Sequence, residues 1–262
     1  MQIQPLQPVG AIIKQLDINR IAAKDIKPLT LLLARHGLLI FRNQQVSNGD
    51  FVAFLRKFGP LTFTVGETPV KNHPDLNVVS NVGRSTRPKS SFHIDSSYFE
   101  KPPAYTALRA VELPDRGGET LFTNQYRAYE SLPADLKQKL KGKQVVHVVT
   151  GLDLSDKQET ETQAIHPIFK IHPLSGKKSI YMSTPQRCAA IKGMELDEAA
   201  NLIEACYKHS IQEQFIYRHE WQPGDILIWD NGCTLHKADH SEVNGNRVLH
   251  RGLCLGYNSS VF

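Results

Sequence analysis

Residues 91–100 read SFHIDSSYFE, with a histidine and an aspartate two apart. In an extended chain, residues two apart face the same side. His93 and Asp95 then point together, while Phe92 and Ile94 face the other way. An imidazole and a carboxylate aimed at one point can be an ion pair, a catalytic couple or two arms of a metal site. A mononuclear site needs at least a third donor, and the best candidate lies far along the chain, in WDNGCTLHKAD at 229–239. There DILIWDN reads as a strand running into a turn, with His236 shortly after. In a rolled-up β fold, two strands so distant in sequence can face each other across a barrel. Two histidines and one carboxylate on one face form the facial triad of non-haem Fe(II) oxygenases, which leaves the opposite face open for substrate and O₂. The same donors can hold zinc. Each also has a plainer reading: Asp95 as a surface ion pair, His236 as a core histidine bonded to a backbone carbonyl.

The elements that must position these groups are short. Residues 25–36 read as a helix ended by Gly37, followed by the strand GLLIF. Phe51, Phe54, Leu55 and Phe58 recur at amphipathic-helix spacing within 48–58, before Gly59 and Pro60 stop the helix. A third helix is expected within 125–141. A fourth spans about 196–208, with Leu196, Ala199, Ala200, Ile203, Cys206 and Tyr207 on one face. The rest is strand-like: LNVVSN, YTALRAVEL, TLFT, KQVVHVV, IFKIH, SIYMS, DILIWDN and RVLHRGLCLGY, bounded by Gly, Pro, Asn and Asp. Many short strands with few helices predict a mostly β fold with flanking helices, a sandwich or jelly roll rather than a parallel α/β sheet.

Composition narrows the function classes. The 262 residues can bury a sizeable core, and no repeat, low-complexity tract or linker divides them, so one domain over 1–262 is expected. The net charge of +5 is mild and scattered, which argues weakly for an anionic small molecule and more weakly for nucleic acid. The four cysteines (Cys188, Cys206, Cys233, Cys254) form no C-x-x-C pair and no signal peptide precedes them, so a reduced, cytoplasmic setting is expected. The longest apolar stretch, LTLLLARHGLLIF, is broken by Arg35 and His36 and is too short to span a bilayer, so no membrane partner is expected.

Three blocks carry a family resemblance: HIDSSYFEKPPAYTALRAVELPDRGGETLFTNQYRAYESLP, HPIFKIHPLSGKKSIYMS and WQPGDILIWDNGCTLHKADHSEVNGNRVLHRGLCLG. In this order they resemble the taurine dioxygenase/TfdA family of Fe(II)- and 2-oxoglutarate-dependent dioxygenases, over roughly residues 50–257, with a looser match before them. The resemblance implies a double-stranded β-helix (jelly-roll, cupin-like) core with iron held by His93, Asp95 and His236. It also implies a 2-oxoglutarate site. That cosubstrate is a dianion whose far carboxylate needs a fixed cation, and the planar fork of arginine suits it. Arg247 matches the family's carboxylate-binding arginine, and Thr120 in GGETLF the threonine that supports it. Arg251 follows on the same strand face and matches the arginine that holds the substrate's acid group. His250 then faces outward, and His166 and His172 match positions outside the iron sphere.

Departures from the taurine pattern matter equally. Thr64, Glu67 and Lys89 align with taurine-contacting positions and keep none of the taurine-type residues. Glu67 inside the pocket would favour a cationic group, so the substrate is expected to be a small anionic or zwitterionic metabolite. The implied reaction hydroxylates an unactivated C–H bond, with 2-oxoglutarate and O₂ leaving succinate and CO₂. Asp95 fills the place that halide takes in related halogenases, which argues against halogenation. A cupin-like zinc hydrolase, isomerase or sensor would have no use for Thr120 and Arg247. A nucleic-acid demethylase would favour a dense basic stripe with stacking aromatics, which this chain lacks. The resemblance also allows for a homo-oligomer.

Overall fold

A computed structural model describes residues 1–64, 66–84, 90–150 and 162–256. From the N-terminus come β1 (Gln2–Pro5), β2 (Ala11–Lys14), α1 (Ala23–His36), β3 (Leu38–Phe41), α2 (Asn48–Arg56), β4 (Leu61–Thr62), β5 (Pro69–Val70) and β6 (His73–Ser80). The middle supplies β7 (Tyr105–Glu112), β8 (Thr120–Asn124), α3 (Gln125–Glu130), α4 (Ala134–Leu140), β9 (Gln144–Val148), β10 (Gln163–Pro167), β11 (Phe169–Ile171) and β12 (Lys178–Ile180). The last part holds β13 (Cys188–Ile191), α5 (Leu196–Ser210), β14 (Ile216–His219), β15 (Ile226–Asp230), β16 (Thr234–Ala238) and β17 (Val248–Cys254).

The large sheet runs β1-β2-β3-β15-β7-β17-β6-β5, with β4 also pairing with β17. A smaller sheet, β14-β8-β16, carries Thr120 and His236. Alternation along the central strands divides the large sheet's faces. Leu39, Phe41, Ala107, Ile226 and Ile228 pack with Leu29 and Leu33 of α1 and Phe51, Phe54 and Leu55 of α2. Leu38, Ile40, Leu108, Leu227 and Trp229 turn the other way and pack with Phe122 of the smaller sheet. The large sheet therefore has a helical layer behind it and the smaller sheet before it, and the chain is mostly β with few helices.

Local signals explain the helix ends. Gly37 takes φ +76° and closes α1 by donating to Leu33 O, while Ser47 and Asp50 form a capping box at the start of α2. The segment expected as one helix within 125–141 divides into α3 and α4 at Ser131–Pro133. Pro133 lacks an N–H and disfavours helical backbone before it, so the chain restarts there. On α5 the buried face is Ala199, Leu202, Ile203, Cys206 and His209, whereas Leu196 and Ala200 are exposed. Ala199, Ile203 and Cys206 fall on the buried face as expected, Tyr207 is half-buried, and Leu196 and Ala200 depart from it. The four cysteines are free and buried. Among the described residues, no helix is long and apolar enough to cross a membrane.

Candidate functional site

The segment around His93 is extended but belongs to no regular strand. Phe92 and Ile94 turn into an apolar cluster with Leu121, Tyr181 and Leu235, as the alternation predicts. His93 forms an isolated antiparallel bridge to His236, each backbone N–H donating to the other's carbonyl at 3.0 and 3.1 Å. The two residues are thus direct neighbours rather than partners across a barrel, and their rings lie 4.3 Å apart. Asp95 opens a turn, and Ser96 after it takes φ +47°. The Asp95 Oδ1 lies 3.7 Å from His93 Nε2, and its Oδ2 3.5 Å from His236 Nε2.

These three donors lie within 4.8 Å of one another, and no other cluster of this kind occurs among the described residues. Their state suits a metal. His93 Nδ1 faces Ser91 O at 2.7 Å; donating there leaves the Nε2 lone pair free. Burial pushes His236 down to about 3, so its imidazole is neutral. Burial opposes ionisation of Asp95, yet His236, Arg251 and His93 hold its carboxyl well below the usual range. Two imidazole nitrogens and one carboxylate are the borderline donor set that Fe(II) accepts.

The cavity beside them, of about 250 Å³, lies between the two sheets. It is lined by His93 and His236, by Thr120 of β8, by Trp229 of β15, and by Arg247 and Arg251. Arg247 is 1% exposed and has no carboxylate in ion-pairing distance among the described residues. Burial lowers its pKa to about 10, so the guanidinium keeps its charge at neutral pH. Its Nε donates to Gly118 O at 2.7 Å, and Nη2 donates to Thr120 Oγ1 at 3.1 Å. Gly118 is needed here: with φ +81°, any Cβ would stand 2.9 Å from Arg247 Cδ. Thr120 Oγ1 also accepts from Trp221 Nε1 at 3.0 Å. With two donors already pointing at it, the Thr120 hydroxyl has its own hydrogen left to give.

Arg251 sits closer to the triad. Its Nη1 reaches Asp95 Oδ1 and its Nη2 reaches Glu67 Oε1, both at 3.2 Å, while its Nε is buried without a partner. Glu67 therefore does line the cavity, and it does so as the counter-ion of Arg251. Thr64 Oγ1 lies 3.5 Å from Ser96 Oγ, against the turn that follows Asp95. Lys89 falls outside the described residues. His250 faces the opposite side of β17 and meets Asn48 Oδ1 at 2.7 Å. His172 is saturated by Asp230 and the backbone N–H groups of Leu174 and Ser175, and His166 Nε2 faces the carbonyls of Ser97 and Phe99. All three histidines are structural, as expected. Sequence reasoning missed Thr106, which donates to Asp95 Oδ2 at 2.9 Å, and Trp221 behind Thr120. Neither carries a periodic spacing signal: Thr106 lies 11 residues from Asp95 across a turn, and Trp221 lies 101 residues from Thr120.

Comparison with known proteins gives this arrangement relatives. The chain is 28% identical to an alpha-ketoglutarate-dependent 2,4-dichlorophenoxyacetate dioxygenase of Cupriavidus pinatubonensis, covering 96% of each chain. It is also 28% identical to pentalenolactone F synthase of Streptomyces arenae, over 96% of this chain and 94% of that one. A crystal structure of a taurine dioxygenase from Burkholderia xenovorans superposes with a TM-score of 0.84 at 29% identity, covering 98% of this chain and 89% of that one. The profile described as "Taurine catabolism dioxygenase TauD, TfdA family" matches residues 2–253, so the likeness takes in the N-terminal strands that the sequence motifs alone left loose. A match of that length, together with the neighbour in the solved structures, makes the chain a member of the TauD/TfdA dioxygenase family.

Proposed function

We propose that this chain is an Fe(II)- and 2-oxoglutarate-dependent dioxygenase that hydroxylates a small acidic or zwitterionic metabolite. The observation that carries the reading is one cavity lined both by the two histidines of the His-Asp-His donor set and by a buried arginine with no carboxylate in ion-pairing distance among the described residues. His93 Nε2, Asp95 and His236 Nε2 hold the metal. Arg247, with the free hydrogen of Thr120, takes the far carboxylate of 2-oxoglutarate. When bound, Fe(II) with 2-oxoglutarate and O₂ supplies the oxidising equivalents for C–H hydroxylation, and 2-oxoglutarate leaves as succinate and CO₂. The apolar wall of Val78, Val79, Leu108 and Trp229 keeps bulk water from the reacting centre. A zinc hydrolase or sensor would leave Arg247 buried without purpose.

The substrate-facing residues refine the class. Arg251 pairs with both Asp95 and Glu67, so the subsite offers a cation and a carboxylate side by side and a ligand carrying both signs suits it best. An acid group takes the unpartnered Arg251 Nε, while an amine takes Glu67. A plain acid on the same Nε would face Glu67 with no amine to offset it. On this reading residues 1–262 form one domain in which the large sheet and the facing β14-β8-β16 sheet make a double-stranded β-helix core. A reducing cytoplasmic setting fits four free, buried cysteines. A homo-oligomer and a small-molecule rather than nucleic-acid partner complete the proposal.

Metal-free protein should regain turnover with Fe(II) and not with Zn(II), because only a redox metal activates O₂. Anaerobic addition of Fe(II) and 2-oxoglutarate should give a weak visible charge-transfer band. Full turnover with zinc would sink the oxygenase reading. A screen of amino acids and small acids for substrate-stimulated succinate formation identifies the substrate class.

A further inference from the structure

Behind the candidate metal site, three side chains run in a single hydrogen-bonded line to Asp95. Trp229 Nε1 donates to Asn231 Oδ1 at 3.1 Å. Asn231 Nδ2 donates to Thr106 Oγ1 at 2.9 Å and to Pro103 O at 3.0 Å. Thr106 Oγ1 donates to Asp95 Oδ2 at 2.9 Å. Trp229 and Thr106 are Cα partners in the β15–β7 ladder, and Asn231 N donates to Ala104 O just beyond it. Trp229, Asn231, Thr106 and Asp95 are each no more than 5% exposed.

We infer that Trp229, Asn231 and Thr106 form a one-way hydrogen-bond relay that presents Asp95 to the metal in a single fixed orientation. The proposal rests on the reading of Asp95 as a metal ligand. Its direction follows from chemistry rather than choice. An indole N–H can only donate, so it selects the oxygen end of the Asn231 amide. The amide nitrogen is thereby turned toward Thr106, whose hydroxyl must accept. Having accepted there, that hydroxyl gives its one hydrogen to Asp95. Arg251 Nη1 meets the other carboxylate oxygen at 3.2 Å. Each oxygen then accepts one bond from the protein, which locks the rotamer and keeps the carboxylate from swinging to clasp the ion through both atoms. Trp229 also packs 4.5 Å from the His236 ring, so one side chain positions two of the three ligands. These are positioning residues: they act through Asp95 and His236 and touch no reacting atom.

The test reads metal affinity directly, by titrating metal-free protein with Mn(II) and following free ion by electron paramagnetic resonance, without cosubstrate. Thr106→Val keeps the shape and removes the donor, and should weaken Mn(II) binding about 10- to 100-fold, the range expected for partners behind a ligand. Thr106→Ser restores the donor and should bind as wild type does, which a purely space-filling role would not require. Asn231→Leu should weaken binding in the same direction, and the Thr106→Val/Asn231→Leu double variant should be no weaker than Thr106→Val alone, because the relay acts as one unit. Should Thr106→Val fail to fold, Thr106→Ala carries the same expectation. Mn(II) binding by the folded variant within threefold of wild type overturns the relay, as does full additivity in the double variant. Failure of the wild-type chain itself to bind Mn(II) overturns instead the metal-site reading on which the relay rests.

Discussion

Replacing Arg247 by methionine separates what the residue does for the fold from what it does for the cosubstrate. In the free protein the guanidinium is 1% exposed and lacks a carboxylate, so its burial is costly. Two hydrogen bonds, to Gly118 O and Thr120 Oγ1, offset that cost. Bonds from a charged donor are worth about 1.5–3 kcal/mol each, and several kcal/mol of desolvation stand against them. The two contributions nearly cancel, and Met fills much of the same volume. The metal-free, cosubstrate-free variant should therefore melt within about 4 °C of wild type, the shift expected for 1 kcal/mol in a chain of this size. With 2-oxoglutarate the balance changes, because its far carboxylate loses the cation placed for it. Truncating one partner of a buried charge pair costs about 2–5 kcal/mol, which is about 30-fold to about 5,000-fold in affinity. Calorimetric titration of the Mn(II)-loaded protein with 2-oxoglutarate checks this, and Mn(II) affinity itself should not move. An unchanged 2-oxoglutarate affinity refutes the assignment of Arg247. A melting temperature lowered by tens of degrees refutes the argument that its charge is there for the ligand rather than for the fold.

Glu67→Gln removes the counter-ion of Arg251, so plain acids should bind more tightly and amine-bearing acids more weakly; equal effects on both classes would remove Glu67 from substrate selection. Gly118→Ala forces a side chain into φ +81° and against Arg247 Cδ at 2.9 Å. It should cost about 1–2 kcal/mol in stability and raise KM for 2-oxoglutarate while leaving Mn(II) affinity unchanged, as read by thermal melts and steady-state kinetics. Asp225→Ala leaves Arg42, His219 and the Gln222 N–H without the buried carboxylate they share. Urea unfolding should show a loss of about 3–5 kcal/mol; a loss below 1 kcal/mol would mean that water replaces the carboxylate freely.

What the sequence revealed follows from the range of each signal. The pairing of His93 with Asp95 was legible because alternation has period two and Phe92 and Ile94 supplied the buried counterpart. His236 was legible as a residue but not as a neighbour. Its strand, TLHKA, looks too polar to be one, and its bridge to His93 is a contact between distant segments. The break at Pro133 was present in the sequence and should have divided the third helix, whereas the facing of Leu196 depends on where the helix ends relative to its support. The Glu67–Arg251 pair could be anticipated only as two opposite charges bound for one cavity. That they meet each other is a fact of tertiary distance. Thr106, Asn231 and Trp221 carry no local pattern, since what makes each matter is a partner far away in sequence.

Strand β17 and the residue just before it carry both cavity arginines, four positions apart, with Leu249 buried between them. At about 3.3 Å per residue, the two guanidinium anchors are set about 13 Å apart along the backbone. The strand is hydrogen-bonded on both sides, to β6 and β7, with one register shift against β7 between Val248 and Leu249, so the sheet holds this separation. On the roles proposed for Arg247 and Arg251, it would set how far a substrate's acid group stands from the cosubstrate's outer carboxylate, and hence which carbon of a bound metabolite comes under the metal. Selectivity among positions on a substrate is then a matter of length measured from Arg251. An engineer wishing to move the site of oxidation by one carbon would leave β17 alone and change the opposite wall, where Glu67 sits on a loop that can be lengthened without disturbing the scale.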